Sequence, residues 1–204
     1  MDSQANAVFF DSIAHQWDGW ENLPELRRKL ALGLGNLNIC PSETLLDIGC
    51  GTGNIVLGLL GQLSPHGRVV AIDVSSRMIE IARKKIPDSR ITWSIANAFQ
   101  LPLANNSIDR TFCCSVWPHF DDPPAISREI FRVLRSGGFM HIWHFQSRAQ
   151  INQIHAEAGP AVNKDVLAPA TETATVLGQA GFQIMGMLDN EQGYLVTAFK
   201  PPQR

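Results

Sequence analysis

The sequence predicts an α/β protein with a mostly parallel sheet and helices on both faces. Short apolar runs alternate with segments of helical spacing from residue 44 to residue 145, which is typical of parallel strands joined by crossover helices. Glycines 49, 51 and 53 follow the first apolar run, where a strand turns into a helix. A short polar turn over 189–193 joins the last two apolar runs, and such a turn makes that pair antiparallel.

The individual elements follow from apolar spacing and from residues that begin or end helices. Two helices precede the sheet, over 5–20, with Val8 and Trp17 on one face, and over 23–36, with leucines at every fourth position. We predict the strands to be 44–48, 68–73, 91–95, 109–116, 139–145, 182–188 and 194–200. We predict the later helices to be 54–63, 75–85, 124–134, 147–158 and 171–180.

Composition narrows the class of protein. The chain has 204 residues, of which 45% are hydrophobic, and a formal net charge of −2, so a substantial core is expected and a nucleic-acid partner is not favoured. The N-terminus shows no signal peptide, and no segment approaches the length of a membrane span. The cysteines, at positions 40, 50, 113 and 114, form no C-x-x-C pair. We therefore expect a cytoplasmic protein that has no contact with a membrane.

The glycine loop indicates the class of ligand. The run LLDIGCGTG over 45–53 has the spacing G-x-G-x-G, whereas a dinucleotide loop needs a third glycine where Asn54 stands. The Lys and Ser or Thr of a phosphate-gripping loop are also missing after Gly53. Asp47 beside the loop would repel an anion. A ligand that carries an ammonium group is therefore favoured over a polyphosphate.

This loop resembles motif I of the class I S-adenosylmethionine-dependent methyltransferases. The segment IDVSSRMI over 72–79 resembles motif II, and RVLRSGG over 132–138 resembles the R-V-L-K-P-G-G turn of the type 11 (UbiE-like) subfamily. The resemblance covers about residues 40–145. It implies a Rossmann-like sheet of seven strands with the last strand antiparallel, and S-adenosyl-L-methionine as the cofactor.

The resemblance also implies which residues bind the cofactor. The loop backbone and Asp47 would hold the amino-acid end, and Asp73, at the end of the second strand, can accept hydrogen bonds from both ribose hydroxyls. Asn97 stands where the subfamily has Asp, and its amide can still accept or donate a hydrogen bond at the adenine. The expected cofactor-binding residues are Asp47, Gly49, Cys50, Gly51, Gly53, Asp73, Val74, Met78, Asn97, Ala98, Phe99 and Ser115.

An N-terminal segment extends the resemblance towards the substrate. FDSIAHQWD over 10–18 resembles the F-D-x-x-A-x-x-Y-D lead-in of the subfamily, whose aromatic residue helps to cover the cofactor and substrate. Trp17 takes the aromatic place, and both ordinary helix packing and ligand contact stay open for it. The expected substrate-lining residues are Trp17, Trp117, His119 and His155.

Histidines are the candidates for acid–base chemistry. His119 follows the fourth strand, where a side chain can face the transferred methyl group, and an unperturbed histidine titrates near neutrality. His144, near the end of the fifth strand, is the second candidate, with a polar lining role as the alternative for both. A metal cluster of His119, His144 and His155, with Glu157 or Asp165, has no diagnostic spacing. We therefore expect no bound metal.

The function favoured by these observations is methyl transfer to a small-molecule acceptor. Two alternatives stay open: a cofactor-binding regulatory or metal-handling protein that uses the His119, His144 and His155 region, and a nicotinamide oxidoreductase, which the glycine spacing disfavours. The chain is expected to be one methyltransferase domain over 1–204. Its predicted parts are an N-terminal helical cap (1–38), a cofactor-binding core (40–145), a helical insert (146–168), and a C-terminal helix with an antiparallel strand pair (169–204).

Overall fold

The computed structural model describes residues 3–20 and 22–202, and their side chains from residue 5 onward. The helices are α1 (Ser3–Ile13), α2 (Trp17–Trp20), α3 (Leu23–Gly35), α4 (Asn54–Leu60), α5 (Ser76–Lys85), α6 (Pro123–Val133), α7 (Arg148–Glu157) and α8 (Ala170–Gln179). The strands are β1 (Thr44–Ile48), β2 (Arg68–Asp73), β3 (Ile91–Ile95), β4 (Ile108–Cys114), β5 (Leu134–His144), β6 (Gln183–Asn190) and β7 (Gly193–Phe199). Every helix in this part of the chain is too short or too polar to cross a lipid bilayer.

Seven strands form one sheet in the order β3-β2-β1-β4-β5-β7-β6. β2 pairs in parallel with β1 and with β3, and β4 pairs in parallel with β5. β7 runs antiparallel to both β5 and β6. The predicted α/β class, with a mostly parallel seven-stranded sheet and an antiparallel last strand, is therefore confirmed. The chain forms two compact units, Asp2–Ala98 and Phe99–Arg204. The predicted division into cap, core, insert and C-terminal part stays a prediction.

In the first unit, buried strands and leucine contacts determine the packing. β1 is buried over four consecutive positions, as expected for a parallel strand that is covered on both faces. α3 buries Leu26, Leu30 and Leu34. A Cβ at Gly58 of α4 would lie 3.2 Å from Leu34 Cδ1. The glycine therefore lets α3 and α4 approach closely.

The predicted helix over 5–20 differs from the structure. A turn over 14–16 divides it into α1 and α2. Val8 is 67% exposed, so the apolar spacing around it does not mark a buried face. Asn22 caps the following helix, because its side chain accepts a hydrogen bond from the Glu25 backbone N–H. Residues 1, 2, 21, 203 and 204 of the predicted domain lie outside the described residues.

In the second unit, a buried lysine joins the end of β7 to the connection between α6 and β5. Lys200 is 3% exposed, and its ammonium donates to Asn106 Oδ1 (2.8 Å), Phe131 O (2.6 Å) and Leu134 O (2.7 Å). Gly137 N also donates to Lys200 O at 2.8 Å. These contacts extend β5 to Leu134, five residues before its predicted start.

β6 lies at one end of the sheet. Seven of its eight positions are exposed, and Met185 and Met187 are 54% and 51% exposed. Its pairing with β7 shifts register between Ile184 and Gly186. The alternation of this strand therefore does not bury an apolar face.

Candidate active site

The glycine loop after β1 has a left-handed backbone at all three predicted positions. The φ angles of Gly49, Gly51 and Gly53 are 71°, 52° and 84°, which glycine adopts without strain. Gly49 N and Cys50 N both donate to Ile72 O, at 2.8 and 3.0 Å. The loop is therefore fastened to β2 in a conformation that favours glycine at these three positions.

Asp47 is the least satisfied polar side chain near the loop. It is 1% exposed, and neither carboxylate oxygen has a hydrogen-bond partner within the described residues. Burial, together with the nearby Asp73 carboxylate, raises its pKa well above the ordinary value of 3.8. A buried carboxylate without a partner is costly. An ammonium group would satisfy both oxygens, so the site fits the amino-acid end of S-adenosylmethionine.

Asp73, at the end of β2, connects two backbone segments of the same site. Its Oδ2 accepts a hydrogen bond from Gly51 N (2.8 Å) and its Oδ1 from Ser75 N (2.8 Å). Burial raises the pKa of Asp73 despite these backbone hydrogen bonds, which act to lower it. Each carboxylate oxygen can accept a second hydrogen bond, so the geometry also fits a ribose diol.

The other predicted cofactor residues differ in exposure. Cys50 is buried, and burial raises the pKa of its thiol well above its ordinary range, which makes it a poor nucleophile. Met78 and Ala98 are buried, Val74 is half-buried and Asn97 is exposed. In the second unit, Ser115 is exposed with a φ of 54°, and Phe99 packs edge-on against Phe120 with ring centroids 6.0 Å apart.

Two aspartates of the N-terminal segment, which were not predicted as site residues, contact the glycine loop and the turn that follows β2. Asp11 Oδ1 accepts from the Ser75 hydroxyl at 2.6 Å. Asp18 Oδ1 accepts from the Thr52 hydroxyl at 2.6 Å. The signal was present in the F-D-x-x-A-x-x-W-D spacing, whose two acidic positions are these residues.

Trp17 lies against the glycine loop. A Cβ at Gly51 would stand 3.6 Å from Trp17 Nε1. Trp17 also contacts Phe10 and Trp20, with ring centroids 6.0 and 6.1 Å away. Trp17 is therefore both a packing residue of the N-terminal helices and a neighbour of the glycine loop.

In the second unit, His119 and Asp165 form a close pair. His119 Nδ1–H donates to Asp165 Oδ2 at 2.6 Å, and the two side chains are only 10% and 11% exposed. The bond places the proton on Nδ1 and makes Nε2 the basic nitrogen. The pair borders a cavity of about 460 Å³ that is lined by Pro118, His119, Phe120, Asp121, Lys164, Asp165 and Val166.

His155 and His144 surround this pair. His155 Nδ1–H donates to the Asp165 carbonyl at 2.7 Å, and its ring centroid lies 4.9 Å from that of His119. Burial, followed by repulsion from His119 and His155, lowers the pKa of His144 to about 3. His144 is thus a weak proton acceptor at neutral pH, and neither of its ring nitrogens has a hydrogen-bond partner in the described chain.

Two further sequence predictions concern this region. Trp117 is only 4% exposed and packs edge-on against Phe120 with ring centroids 5.7 Å apart. It therefore supports Phe120, which lines the cavity, and does not line the cavity itself. Across residues 3–20 and 22–202, no three His, Cys, Asp or Glu side chains are placed to hold a metal ion. The metal-handling alternative therefore has no ligand set in the described chain.

Comparison with known proteins agrees with this geometry. The type 11 family model, described as a methyltransferase domain, matches residues 46–142. A demethylmenaquinone methyltransferase of Symbiobacterium thermophilum is 31% identical over 129 residues, which are 61% of this chain. The chain spans 48% of the length of that relative, and 31% and 42% of the lengths of two other curated relatives.

Solved structures show the same fold at low sequence identity. A Haloferax volcanii protein in complex with the Trm112 methyltransferase activator has a TM-score of 0.77 and 18% identity, over 95% of this chain and 98% of its own. A SAM-dependent methyltransferase from Aquifex aeolicus has a TM-score of 0.69 and 21% identity, over 83% of this chain and 88% of its own. Residues 46–142 therefore form a methyltransferase domain of the type 11 family of class I S-adenosylmethionine-dependent methyltransferases, and the cofactor of this domain is S-adenosylmethionine.

Proposed function

We propose that this chain transfers the methyl group of S-adenosylmethionine to a small-molecule acceptor. The observation that carries the proposal is the cavity of about 460 Å³ that the His119–Asp165 pair borders. Its volume lies in the range of small-molecule sites. The name of the Symbiobacterium relative, a demethylmenaquinone methyltransferase, also describes a small-molecule acceptor.

The chemistry divides between the cofactor and the chain. When bound, S-adenosylmethionine supplies an electrophilic methyl group on a sulfonium sulfur. The chain orients the acceptor and receives its proton: His119 accepts the proton at Nε2 as the acceptor oxygen or nitrogen attacks. Asp165 holds the imidazole tautomer through Nδ1 and stabilises the imidazolium that forms. His144 is buried and has a pKa near 3, so it does not accept the proton.

The cofactor-binding residues form a second part of the proposal. Asp47 and the glycine loop hold the amino-acid end, Asp73 holds the ribose, and Asn97 with Phe99 contacts the adenine. The unpartnered carboxylate of Asp47 supports the first assignment. Asp73→Ala, which removes the ribose acceptor, should abolish calorimetric binding of S-adenosylhomocysteine at micromolar protein concentrations.

Release of S-adenosylhomocysteine tests the activity. The protein is incubated with S-adenosylmethionine and a panel of phenols, amines and thiols, and turnover of the best acceptor is measured in variants. His119→Gln should lower kcat about 10²–10⁴-fold with little change in KM for the cofactor. Asp165→Asn should lower kcat by a smaller factor. His66→Gln, which changes an exposed histidine, is the matched control and should leave kcat unchanged.

Two outcomes would contradict the proposal in different ways. Equal kcat values in His119→Gln and the wild type would refute the assigned base and leave methyl transfer in place. Tight binding of S-adenosylmethionine without turnover of any acceptor would favour a regulatory cofactor-binding protein. A cytoplasmic location, which the cysteine usage favours, belongs to the same proposal and is tested by fractionation of the native cells.

A further inference from the structure

The α7–α8 loop, residues 158–169, carries Asp165 and contains turns but neither helix nor strand. Within the loop, Asp165 N donates to Val162 O at 3.0 Å. Outside it, the Asp165 carboxylate accepts from His119 Nδ1 at 2.6 Å. A side chain keeps so close a contact with a functional group only when other contacts hold its backbone in place. The support of this loop therefore bears on the imidazole of His119.

Two side chains of α7 hold the loop backbone at Asp165 and Leu167. His155 Nδ1–H donates to Asp165 O at 2.7 Å. The Asn152 amide binds Leu167 twice, because its Oδ1 accepts from Leu167 N at 2.7 Å and its Nδ2 donates to Leu167 O at 3.2 Å. Asn152 and His155 are three residues apart, so they lie on one face of the helix. That face fixes the backbone over residues 165–167.

α7 is itself held at its beginning. Ser147 and Gln150 form a capping box there. Arg148 Nε donates to Asp189 Oδ2 of β6 at 3.0 Å, and the same oxygen accepts from Ala170 N, at the start of α8, at 3.1 Å. The helix is therefore tied both to the sheet and to α8, and it can support the loop between them.

Burial along the loop shows how narrowly Asp165 is placed. Val162 and Leu167 are 3% and 0% exposed, whereas Val166, next to Asp165, is 63% exposed. The Asp165 side chain is only 11% exposed. A slip of the backbone by one residue would therefore bring an exposed valine to the place of the carboxylate, and the hydrogen bond to His119 would be lost.

α7 acts on the cavity through this loop. The cavity lining comes from residues 118–121 and 164–166, and His155, which the sequence predicts as a substrate-lining residue, reaches that lining through Asp165. Burial lowers the pKa of His155, although its hydrogen bond to Asp165 acts to raise it. At neutral pH His155 is therefore uncharged, and it places no second positive charge beside the imidazolium that forms at His119.

We infer that Asn152 and His155 are positioning residues, which hold the loop backbone so that the Asp165 carboxylate selects the Nδ1–H tautomer of His119. The inference rests on the proposed role of His119 as the base, and it is independent of the identity of the acceptor. Both residues act through Asp165. Loss of either should lower kcat about tenfold, since a misplacement of about 1 Å can cost up to about 10²-fold.

The tautomer of His119 reports the positioning without any acceptor. Ring ¹⁵N shifts of histidine-labelled protein are recorded at alkaline pH, and the His119 signals are assigned by their loss in His119→Gln. The wild type should show the Nδ1–H tautomer. His155→Leu and Asn152→Leu should each lower its fraction, because a displaced carboxylate no longer accepts from Nδ1. A wild-type tautomer in both variants would overturn the inference.

A matched control and a conservative variant sharpen this test. Gln153 neighbours Asn152 on α7, but it is exposed and donates to Glu157 at 3.1 Å, so Gln153→Leu should leave the tautomer and kcat unchanged. His155→Asn keeps an amide N–H near the place of Nδ1 and should recover the tautomer and most of the lost kcat. His155→Leu should lower kcat about tenfold with an unchanged KM for the cofactor.

A double-mutant cycle in kcat separates positioning from general stability. Asp165→Ala removes the carboxylate and keeps the backbone carbonyl that His155 binds. With the best acceptor of the phenol, amine and thiol panel, His155→Leu should lower kcat about tenfold in the wild-type background and less than about twofold in Asp165→Ala. An equal loss in both backgrounds would overturn the inference and leave His119 as the base. Absence of turnover by the wild type would contradict the proposed methyl transfer, and the tautomer experiment would still decide the positioning.

Discussion

Asp47→Asn should stabilise the protein and weaken its cofactor binding. The amide keeps the shape of the side chain and removes its titration. In the wild type, the carboxylate is 1% exposed and has no hydrogen-bond partner in the part of the chain described. The ionised form is therefore tolerated only at a cost to folding, unless an ammonium group neutralises it.

The direction and size of the expected change in stability follow from proton linkage. Burial, with Asp73 nearby, raises the folded pKa of Asp47 above its ordinary value of 3.8. Its contribution to stability is fully present below pH 3.8 and falls by about 1.4 kcal/mol per pH unit above it, until the pH passes the raised pKa. Asn does not titrate, so the variant should be more stable than the wild type at neutral pH, by at least about 1–2 kcal/mol.

Cofactor binding should change in the opposite direction. Removal of one member of a buried charge pair costs about 2–5 kcal/mol, so S-adenosylmethionine should bind Asp47→Asn at least about thirtyfold more weakly. Because the ammonium group favours the ionised carboxylate, wild-type affinity should rise with pH up to the raised pKa of Asp47. At pH values below that raised pKa, cofactor binding to the wild type should release a proton, whereas cofactor binding to Asp47→Asn should release none.

Urea unfolding and calorimetry check these expectations. Unfolding is followed at several pH values, and binding is measured in buffers of different ionisation enthalpy. Asp88→Asn is a control of opposite sign, because Arg90 lowers the pKa of Asp88 to about 2 and loss of that carboxylate should not stabilise. The reasoning fails if Asp47→Asn is no more stable than the wild type at neutral pH, or if it binds the cofactor equally well.

Three further substitutions test individual contacts within the fold by urea unfolding. Lys200→Met leaves buried carbonyl acceptors without a donor and should cost about 2–4 kcal/mol; a loss below 1 kcal/mol would contradict this. Gly53→Ala places a Cβ 2.8 Å from a neighbouring side chain, at a φ of 84°, and should cost about 1–3 kcal/mol of stability. Gly137→Ala should cost less, because Gly137 has a similar φ of 85° but no atom within 4 Å of the added Cβ. Tyr194→Phe removes a 2.7 Å hydrogen bond to Thr173 and should cost about 1 kcal/mol; equal stability would exclude a contribution from that bond.

Buried strands were the most predictable part of the fold. The predicted and observed bounds of β1, β2 and β3 coincide, because each apolar run ends at a polar or turn-forming residue. α1 was less predictable, since Val8 has helical spacing and is nevertheless exposed. β5 begins earlier than predicted because Lys200, far along the chain, forms hydrogen bonds with Leu134 and Gly137 at the start of the strand.

Predictability differed in the same way between the acidic residues of the first unit and the His119–Asp165 pair of the second. Asp47 and Asp73 could be placed from sequence because each stands at or near the end of a buried strand. The partner of His119 could not, because Asp165 lies 46 residues away in a loop without periodicity. From the sequence, Asp165 is no more than a possible metal ligand, whereas in the structure it accepts a hydrogen bond from the imidazole of His119.

The exposed methionines of the edge strand β6 make the protein sensitive to oxidation in air. Met185 and Met187 are 54% and 51% exposed, whereas Met78 and Met140 are buried. Oxidants should therefore convert the two thioethers of β6 to sulfoxides before those of Met78 and Met140. That change would make a sheet edge more polar, and since exposed apolar edges favour pairing between chains, slightly oxidised preparations should self-associate less than freshly reduced ones.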